Sequence, residues 1–368
     1  WKEIVPERAE TLDNAEIADG KLLLSYMKDA HSAARLVSLD GKKSEDIAMP
    51  GFGTAAWSSA RLADKEMFYG FDGFTIAPSI YRLDLETGKS SVIRQSKIPV
   101  DLSQYETKQV FYASKDGTRV PMFLSYRKGM KQDGQTPTLL YAYGGFDVAE
   151  TPGFRPRILE WLQMGGIWAS ANIRGGGEYG EAWHQAGMRE KKQNVFDDFI
   201  AAAEWLIANK YTSTPKLAIL GGSNGGLLIG AVLNQRPDLF GAAMPAVGVM
   251  DMLRFQNFGF GTQWVGEYGS SANADDFKYL IKYSPLHNIH KAVYPPTLIT
   301  TSDHDDRVMP GHSLKYAATL QQAQQGPAPI LLRVETRAGH GAGKPTTKQI
   351  DEWTDRYVFL KSALKIGS

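Results

Sequence analysis

The 368-residue sequence predicts an α/β chain, a doubly wound and mostly parallel sheet preceded by a smaller all-β region. Three observations predict it. A short apolar run, Leu217 to Leu220, leads straight into Gly221-Gly222-Ser223-Asn224-Gly225-Gly226 and then into a second apolar run of helical character. From Thr136 onward, strand-length apolar runs alternate with amphipathic stretches, the pattern of βαβ units. Before about residue 104 there is no helical periodicity, only short strand-like runs parted by turn residues.

Size and composition bound the function classes. The length suits one large or two ordinary domains. Apolar residues make up 43% and charged residues 22%, ordinary for a soluble globular chain. A net charge of +1 gives no footprint for nucleic acid or an anionic membrane. No apolar run approaches the length of a membrane span. With 0 cysteines there is no disulfide framework, thiolate metal site or cysteine nucleophile. The first residue is Trp1 and no signal peptide precedes it, so the chain reads as a piece of something longer. A soluble protein is expected, with periplasm and cytoplasm both open.

Taken in order, residues 1 to 104 read as β. Lys21 to Tyr26 and Met67 to Phe71 are strand-like, Leu36, Val37 and Leu39 run into the turn Asp40-Gly41-Lys42, and Ile80, Tyr81, Leu83 and Leu85 alternate at period two. The similarity of LVSLDGK to YRLDLETGK suggests a repeat, and short strands repeating in this way suggest about two propeller blades. A small β-sandwich is the alternative. Ile98 to Tyr105 reads as a linker. Strands are expected at Gln109 to Tyr112, Val120 to Tyr126, Leu139 to Tyr143, Ile167 to Ile173, Leu298 to Thr301 and Ile330 to Glu335. Helices are expected at Val195 to Lys210, Ser313 to Gln325 and Thr347 to Leu364, the last with Ile350, Trp353, Tyr357, Leu360 and Leu364 inward.

Gly221-x-Ser223-x-Gly225 between strand and helix is the nucleophile elbow of the α/β-hydrolase fold. A sharp turn there requires small neighbours, and the helix that follows aims its N-terminus at developing negative charge. A glycine-rich turn that only packs tightly or binds phosphate is the alternative. A serine needs a base and a group to orient that base, and in this fold the order is serine, acid, histidine. Among the histidines after Ser223, His340 fits, lying beyond a strand in the glycine-rich Gly339-His340-Gly341-Ala342-Gly343. His312 reads as a helix-start cap or surface residue. The acid falls in Ser302 to Arg307, where spacing leaves Asp303, Asp305 and Asp306 open. That loop lacks the remaining ligands of a calcium-binding loop, so no metal is expected. One oxyanion donor is the Asn224 amide, and the second is expected from the loop after Tyr141, where Tyr143 offers a hydroxyl. Between elbow and acid, Phe255, Phe258, Phe260, Trp264 and Tyr268 could, with Phe146, line an apolar pocket for a ring, or be ordinary core.

These stretches resemble the prolyl oligopeptidase family of serine peptidases: YAYGGFDV from 141, ANIRGGGEYGEAWH from 171, GGSNGGLL from 221, LIKYSPLHNI from 280, SDHDDRVMPGHSLKYAATLQ from 302 and RAGHGAGKPT from 337. The resemblance runs through nearly all of 105 to 368. Residues 1 to 104 resemble more loosely the last blades of that family's propeller, Trp1 to Glu7 starting one. It implies two domains, a partial propeller at 1–104 and a catalytic α/β-hydrolase domain at 105–368. It implies cleavage of short peptides after proline, without cofactor. By resemblance Ser223 is the nucleophile, Asp305 the triad acid, His340 the base, and Tyr143 with the Asn224 amide the oxyanion hole. Arg307 would hold a substrate carbonyl, and Trp264 would stack on the proline ring beside Phe146, Val249, Tyr268 and Val308. Phe260 stands where the family commonly has a smaller aliphatic residue. The partners implied are short proline-containing peptides and the missing propeller segment, as a separate piece or not, and a monomer is expected. The alternatives are a related oligopeptidase or dipeptidyl peptidase of other specificity, a non-peptidase esterase, and a catalytically dead binding module.

Overall fold

The computed structural model describes residues 2–341 and 343–367, so Trp1, the expected start of a blade, lies outside the described residues, as do Ala342 and Ser368. The chain opens with two antiparallel four-stranded sheets. The first runs β1 (Thr11–Ala18), β2 (Lys21–Lys28), β3 (His31–Ser38) and β4 (Ser44–Ile47); the second runs β5 (Thr54–Trp57), β6 (Glu66–Gly73), β7 (Ile76–Asp84) and β8 (Ser90–Gln95). Each is a consecutive meander, as propeller blades are. The two sheets share a core in which Leu23 and Leu36 of the first meet Met67, Tyr69 and Leu83 of the second.

The strand-like runs read in the sequence are the inner strands of these sheets. The outer strands escaped because little of them is buried: β8 is exposed along Ser91 to Gln95, Val92 and Ile93 included, and Ser44, Glu45 and Asp46 of β4 are exposed. Edge strands of this kind carry no apolar alternation to detect. The expected linker holds a one-turn 3-10 helix at Leu102–Gln104, capped by Asp101, and packs Ile98, Val100 and Leu102 against the larger domain.

The larger sheet has eight strands: β9 (Tyr105–Ala113), β10 (Arg119–Arg127), β11 (Thr138–Tyr141), β12 (Ile167–Ala171), β13 (Leu217–Gly222), β14 (Ala242–Ala246), β15 (Thr297–Ser302) and β16 (Ile330–Glu335). Their spatial order is β16-β15-β14-β13-β11-β12-β10-β9, with β11 to β16 parallel and β9 and β10 antiparallel at one edge. The helices are α1 (Pro156–Gln163), α2 (Glu181–Gln185), α3 (Gln193–Ala208), α4 (Asn224–Gln235), α5 (Val265–Tyr268), α6 (Ala274–Tyr283), α7 (Gly311–Ala323) and α8 (Thr346–Ala363).

Strand β13 shows why both faces are covered. Leu217 and Ile219 point into the core formed with α3, α4 and α7, while Ala218 and Leu220 point into the one formed with α1 and α8. Period-two alternation thus feeds two apolar layers, and the strand reads as continuously hydrophobic. Strand β14 (AAMPA) and helices α1 and α6 had no distinct signal in the sequence. Two expectations are corrected. Ile350 of α8 is 59% exposed, and Phe359 joins Leu360 on the inward side instead. His312 is 1% exposed, not a surface residue; its Nδ1 accepts the Asp251 amide at 3.1 Å, and burial pushes its pKa down to about 4.

A buried ion pair pins the larger domain near the site. Arg174, just past β12, donates from Nη2 to Asp198 of α3 at 2.6 Å and from Nε at 2.9 Å, and its amide reaches the same carboxylate at 3.0 Å. Its Nη1 also meets Asp116 in the turn between β9 and β10. Asp198 is fully buried, so removing one partner strands the other. Asp198→Ala should therefore lower unfolding free energy by about 3 kcal/mol, measured by urea denaturation; a loss under about 1 kcal/mol, the scale of an exposed pair, would show that Asp116 and solvent suffice for Arg174.

Candidate active site

Ser223 sits between β13 and α4 with φ +59° and ψ −119°, a region that side-chain-bearing residues avoid. The turn survives because its surroundings over-determine it. The Ser223 amide donates to Ala246 O on β14 at 2.9 Å, and the Gly226 and Leu227 amides return to Ser223 O at 2.9 and 3.1 Å. The glycines allow the chain to close on itself: a Cβ on Gly221 would lie 2.3 Å from Gly225 O, and one on Gly225 2.8 Å from Ala142 O.

The structure chooses among the three aspartates. Asp305 lies at the end of β15, almost fully buried, and its Oδ2 is 2.7 Å from His340 Nδ1. Its Oδ1 accepts the Arg307 and Val308 amides at 3.1 and 2.9 Å, which fixes the carboxylate. Asp303 instead faces the exposed His304 at 2.6 Å, and Asp306 is exposed. With Nδ1 bonded to a carboxylate, the His340 ring is held in the tautomer that leaves Nε2 free to accept a proton.

Ser223 and His340 open on one cavity of about 600 Å³, lined also by Tyr143, Phe146, Val249, Phe260, Trp264, Tyr268, Asp306, Arg307 and Gly339. Most of the expected pocket residues are brought together there. Val308 is the exception: it is buried in the core and contributes its amide to Asp305 rather than a wall to the cavity. Phe255 and Phe258 also stay off the wall, Phe255 in the core and Phe258 edge-on to His312. Phe260 does reach the cavity and is 53% exposed. Burial raises the Tyr143 phenol above its ordinary range, against an opposing hydrogen bond with Ser223, so at neutral pH it keeps its proton and can donate.

Lys192, Glu267 and His184 had no functional reading from the sequence, and Asn224 had one only for its backbone amide. Lys192 and Glu267 are almost fully buried behind the loop that carries Tyr143, the Asn224 side chain bridges Lys192 to Tyr143 O, and His184 meets Glu267 at 2.8 Å. Glu267, a lone carboxylate in Trp264-Val265-Gly266-Glu267-Tyr268, was a signal, whereas Lys192 sits in the charged run Arg189-Glu190-Lys191-Lys192 and gave none; their pairing is tertiary. Among the described residues, Asp147, Glu181 and His184 are a group whose ligand atoms lie within 4.8 Å of one another. Glu267 already engages His184, and the group stands apart from the cavity wall.

Fold and site together define an α/β-hydrolase with a serine elbow, an aspartate–histidine pair and a cavity walled by aromatic rings. The profile of the prolyl oligopeptidase family matches residues 152–367, and that of its N-terminal beta-propeller domain matches residues 1–96. The chain belongs to the prolyl oligopeptidase family. It is 44% identical over 361 residues to a prolyl endopeptidase from Elizabethkingia miricola, covering 98% of this chain and 51% of that protein. It is 44% identical over 376 residues to one from Dictyostelium discoideum, covering 100% of this chain and 49% of that protein. A solved structure from a study of two prolyl endopeptidases superposes with a TM-score of 0.93 at 48% identity, over 100% of this chain and 54% of the other. The chain thus spans about half the length of the relatives it matches. No helix among the described residues is long and apolar enough to cross a membrane.

The arrangement at Ser223 has the parts to activate a hydroxyl toward an acyl or phosphonyl centre. A fluorophosphonate should label Ser223, located by peptide mass spectrometry. Asp305→Asn should slow that labelling far more than Asp303→Asn or Asp306→Asn, and equal slowing by all three would contradict the orientation of His340 by Asp305.

Proposed function

We propose that this chain carries the catalytic half of a serine endopeptidase that cleaves short peptides on the carboxyl side of proline. The observation that carries the reading is the shared cavity, in which Ser223 and the Asp305-bound His340 face a wall of Phe146, Trp264 and Tyr268. His340 takes the Ser223 proton as the hydroxyl attacks the peptide carbonyl. The negative charge that develops on oxygen is met by the Asn224 amide and the Tyr143 hydroxyl. The imidazolium returns its proton to the leaving amine, and water hydrolyses the acyl-enzyme by the same steps in reverse roles. No cofactor is called for.

Selection for proline follows from the shape of the wall. A pyrrolidine ring is apolar and flat enough to lie against the Trp264 indole, with Phe146, Tyr268 and Val249 around it and Val308 supporting from behind. Arg307 is the cation on this wall and suits the carbonyl of the residue before the proline. An acidic wall, as cleavage after Lys or Arg would need, is not what lines the ring pocket: Asp306 is the acid there and lies beside Arg307. The hydrolase is taken to begin near residue 105, with the blades before it as part of a longer propeller that restricts entry to short, flexible chains.

Ser223→Ala should abolish turnover of a chromogenic Gly-Pro anilide, a loss on the order of 10⁶-fold by the precedent of serine proteases, while leaving peptide binding in place by calorimetry. Appreciable residual turnover would remove Ser223 from the mechanism. Trp264→Ala should cut kcat/KM for the proline anilide by about 10-fold, the scale of ring stacking plus lost apolar contact, and leave a small acetyl ester little affected. An equal loss on both substrates would make Trp264 a core residue rather than a specificity residue.

A further inference from the structure

The loop between β11 and α1 carries both the hydroxyl of Tyr143 and the ring of Phe146, yet its backbone is strained. Phe146 and Asp147 both stand at φ +59°, after Gly144 at +65°, where a glycine is unstrained. Side chains rarely sit in that region unless something outside the loop holds them there. The restraint comes from two buried charged residues on other elements. Lys192, at the start of α3 and 1% exposed, donates from Nζ to Gly144 O at 2.8 Å and to Asn224 Oδ1 at 3.2 Å. Glu267, in α5 and 5% exposed, accepts the Phe146 amide on Oε1 at 3.0 Å, and the same oxygen lies 3.9 Å from Lys192 Nζ. Its other oxygen is held by His184 Nε2 at 2.8 Å.

The Asn224 amide joins these to the elbow. An ammonium can only donate, so it turns the amide oxygen of Asn224 toward itself, and the Tyr268 hydroxyl bonds that same oxygen at 2.8 Å. The amide nitrogen is then left facing Tyr143 O, to which it donates at 2.6 Å. The fit is close enough that a Cβ on Gly145 would lie 2.6 Å from that nitrogen. Burial pulls the Lys192 ammonium down to about 8, with Glu267 opposing. A desolvated pair of this kind is costly, and replacing one by apolar groups is often neutral or stabilising, so stability alone is a weak account of it.

We propose that Lys192 and Glu267 are positioning residues that clamp the Tyr143–Asp147 loop, through Asn224 and the Phe146 amide, so that the Tyr143 hydroxyl is already aimed where the oxyanion forms. This rests on the reading of Ser223 as the nucleophile. The clamp touches no substrate; it acts through Tyr143, and its signature is therefore non-additivity.

The test is a double-mutant cycle on the proline anilide in the full-length protein, with circular dichroism and thermal melting on every variant. Tyr143→Phe should lower kcat by roughly 10²–10³-fold, as loss of one oxyanion donor does. Lys192→Met and Glu267→Gln should each lower kcat by about 10–10²-fold, the scale of a small misplacement of a reacting group, with KM nearly unchanged. Added to Tyr143→Phe, either should cost little more, because the group it positions is already gone. Glu267→Gln keeps the shape of the side chain and carries the comparison alone if Lys192→Met does not fold. Unchanged kcat in the folded single variants, or losses that multiply in the combined ones, overturns the clamp. Turnover that survives Ser223→Ala overturns the catalytic reading and the clamp with it, whereas an inactive Ser223→Ala beside multiplying losses overturns the clamp alone.

Discussion

The backbone at Ser223 is the constraint on which the site depends. A non-glycine residue at φ +59° costs on the order of 1–3 kcal/mol and persists only where the surroundings enforce it. Here the enforcement comes from three directions. Strand β13 lies in the middle of the sheet between β11 and β14 and cannot shift without breaking both ladders. Helix α4 is buried along almost its whole length, so its start is fixed by the core beneath it. Ala246 O then captures the Ser223 amide from the neighbouring strand. The turn is strained because the sheet and helix leave it no relaxed alternative, and the strain lifts the serine side chain clear at the carboxyl ends of the strands, where ligands bind in folds of this class.

Each other participant hangs on that same edge. Tyr143 follows β11, the elbow follows β13, Asp305 follows β15 and His340 lies beyond β16. A parallel sheet gathers these strand ends on one side, so residues that are distant in sequence face one cavity without long excursions of the chain. Asp305 is held by backbone amides on one oxygen and uses the other for His340, so its orientation does not depend on a mobile side chain. The Arg174–Asp198 pair stiffens the connection from β12 to α3, and α3 begins at the lysine that reaches Gly144 O.

The two antiparallel sheets stand in a different relation to the site. Their shared core is made within the first hundred residues, and their outer strands β4 and β8 are largely exposed to solvent. They meet the hydrolase domain through polar and apolar contacts together: Thr54 Oγ1 donates to Pro152 O at 2.8 Å, the Phe154 amide donates to Asp72 at 3.0 Å, and Ala30, Phe52 and Phe74 pack into the core around Phe123 of β10.

What the sequence determined by itself were the features governed by local chemistry. Short apolar runs marked the buried strands other than β14, period-3.6 patterns marked the helices α3, α7 and α8, and the glycines around Ser223 announced a turn only small residues tolerate. The order of serine, acid and histidine, with the glycine-rich loop beyond a strand that holds His340, pointed to His340 as the base and to three neighbours in one loop as the acid. The tertiary structure decided what depends on contacts across the chain. Spacing could not separate Asp303, Asp305 and Asp306; the direction in which the loop after β15 turns does, by burying one carboxylate against His340 and leaving the others outside. Nor could it divide the aromatics between wall and core: Trp264 and Phe260 face the cavity, Phe255 packs inward, and Ile350 points to solvent despite its place in an apolar pattern. Lys192, Asn224 and Glu267 are distant in sequence and carry no shared pattern, because a buried charge network is defined by which lone pairs meet in space.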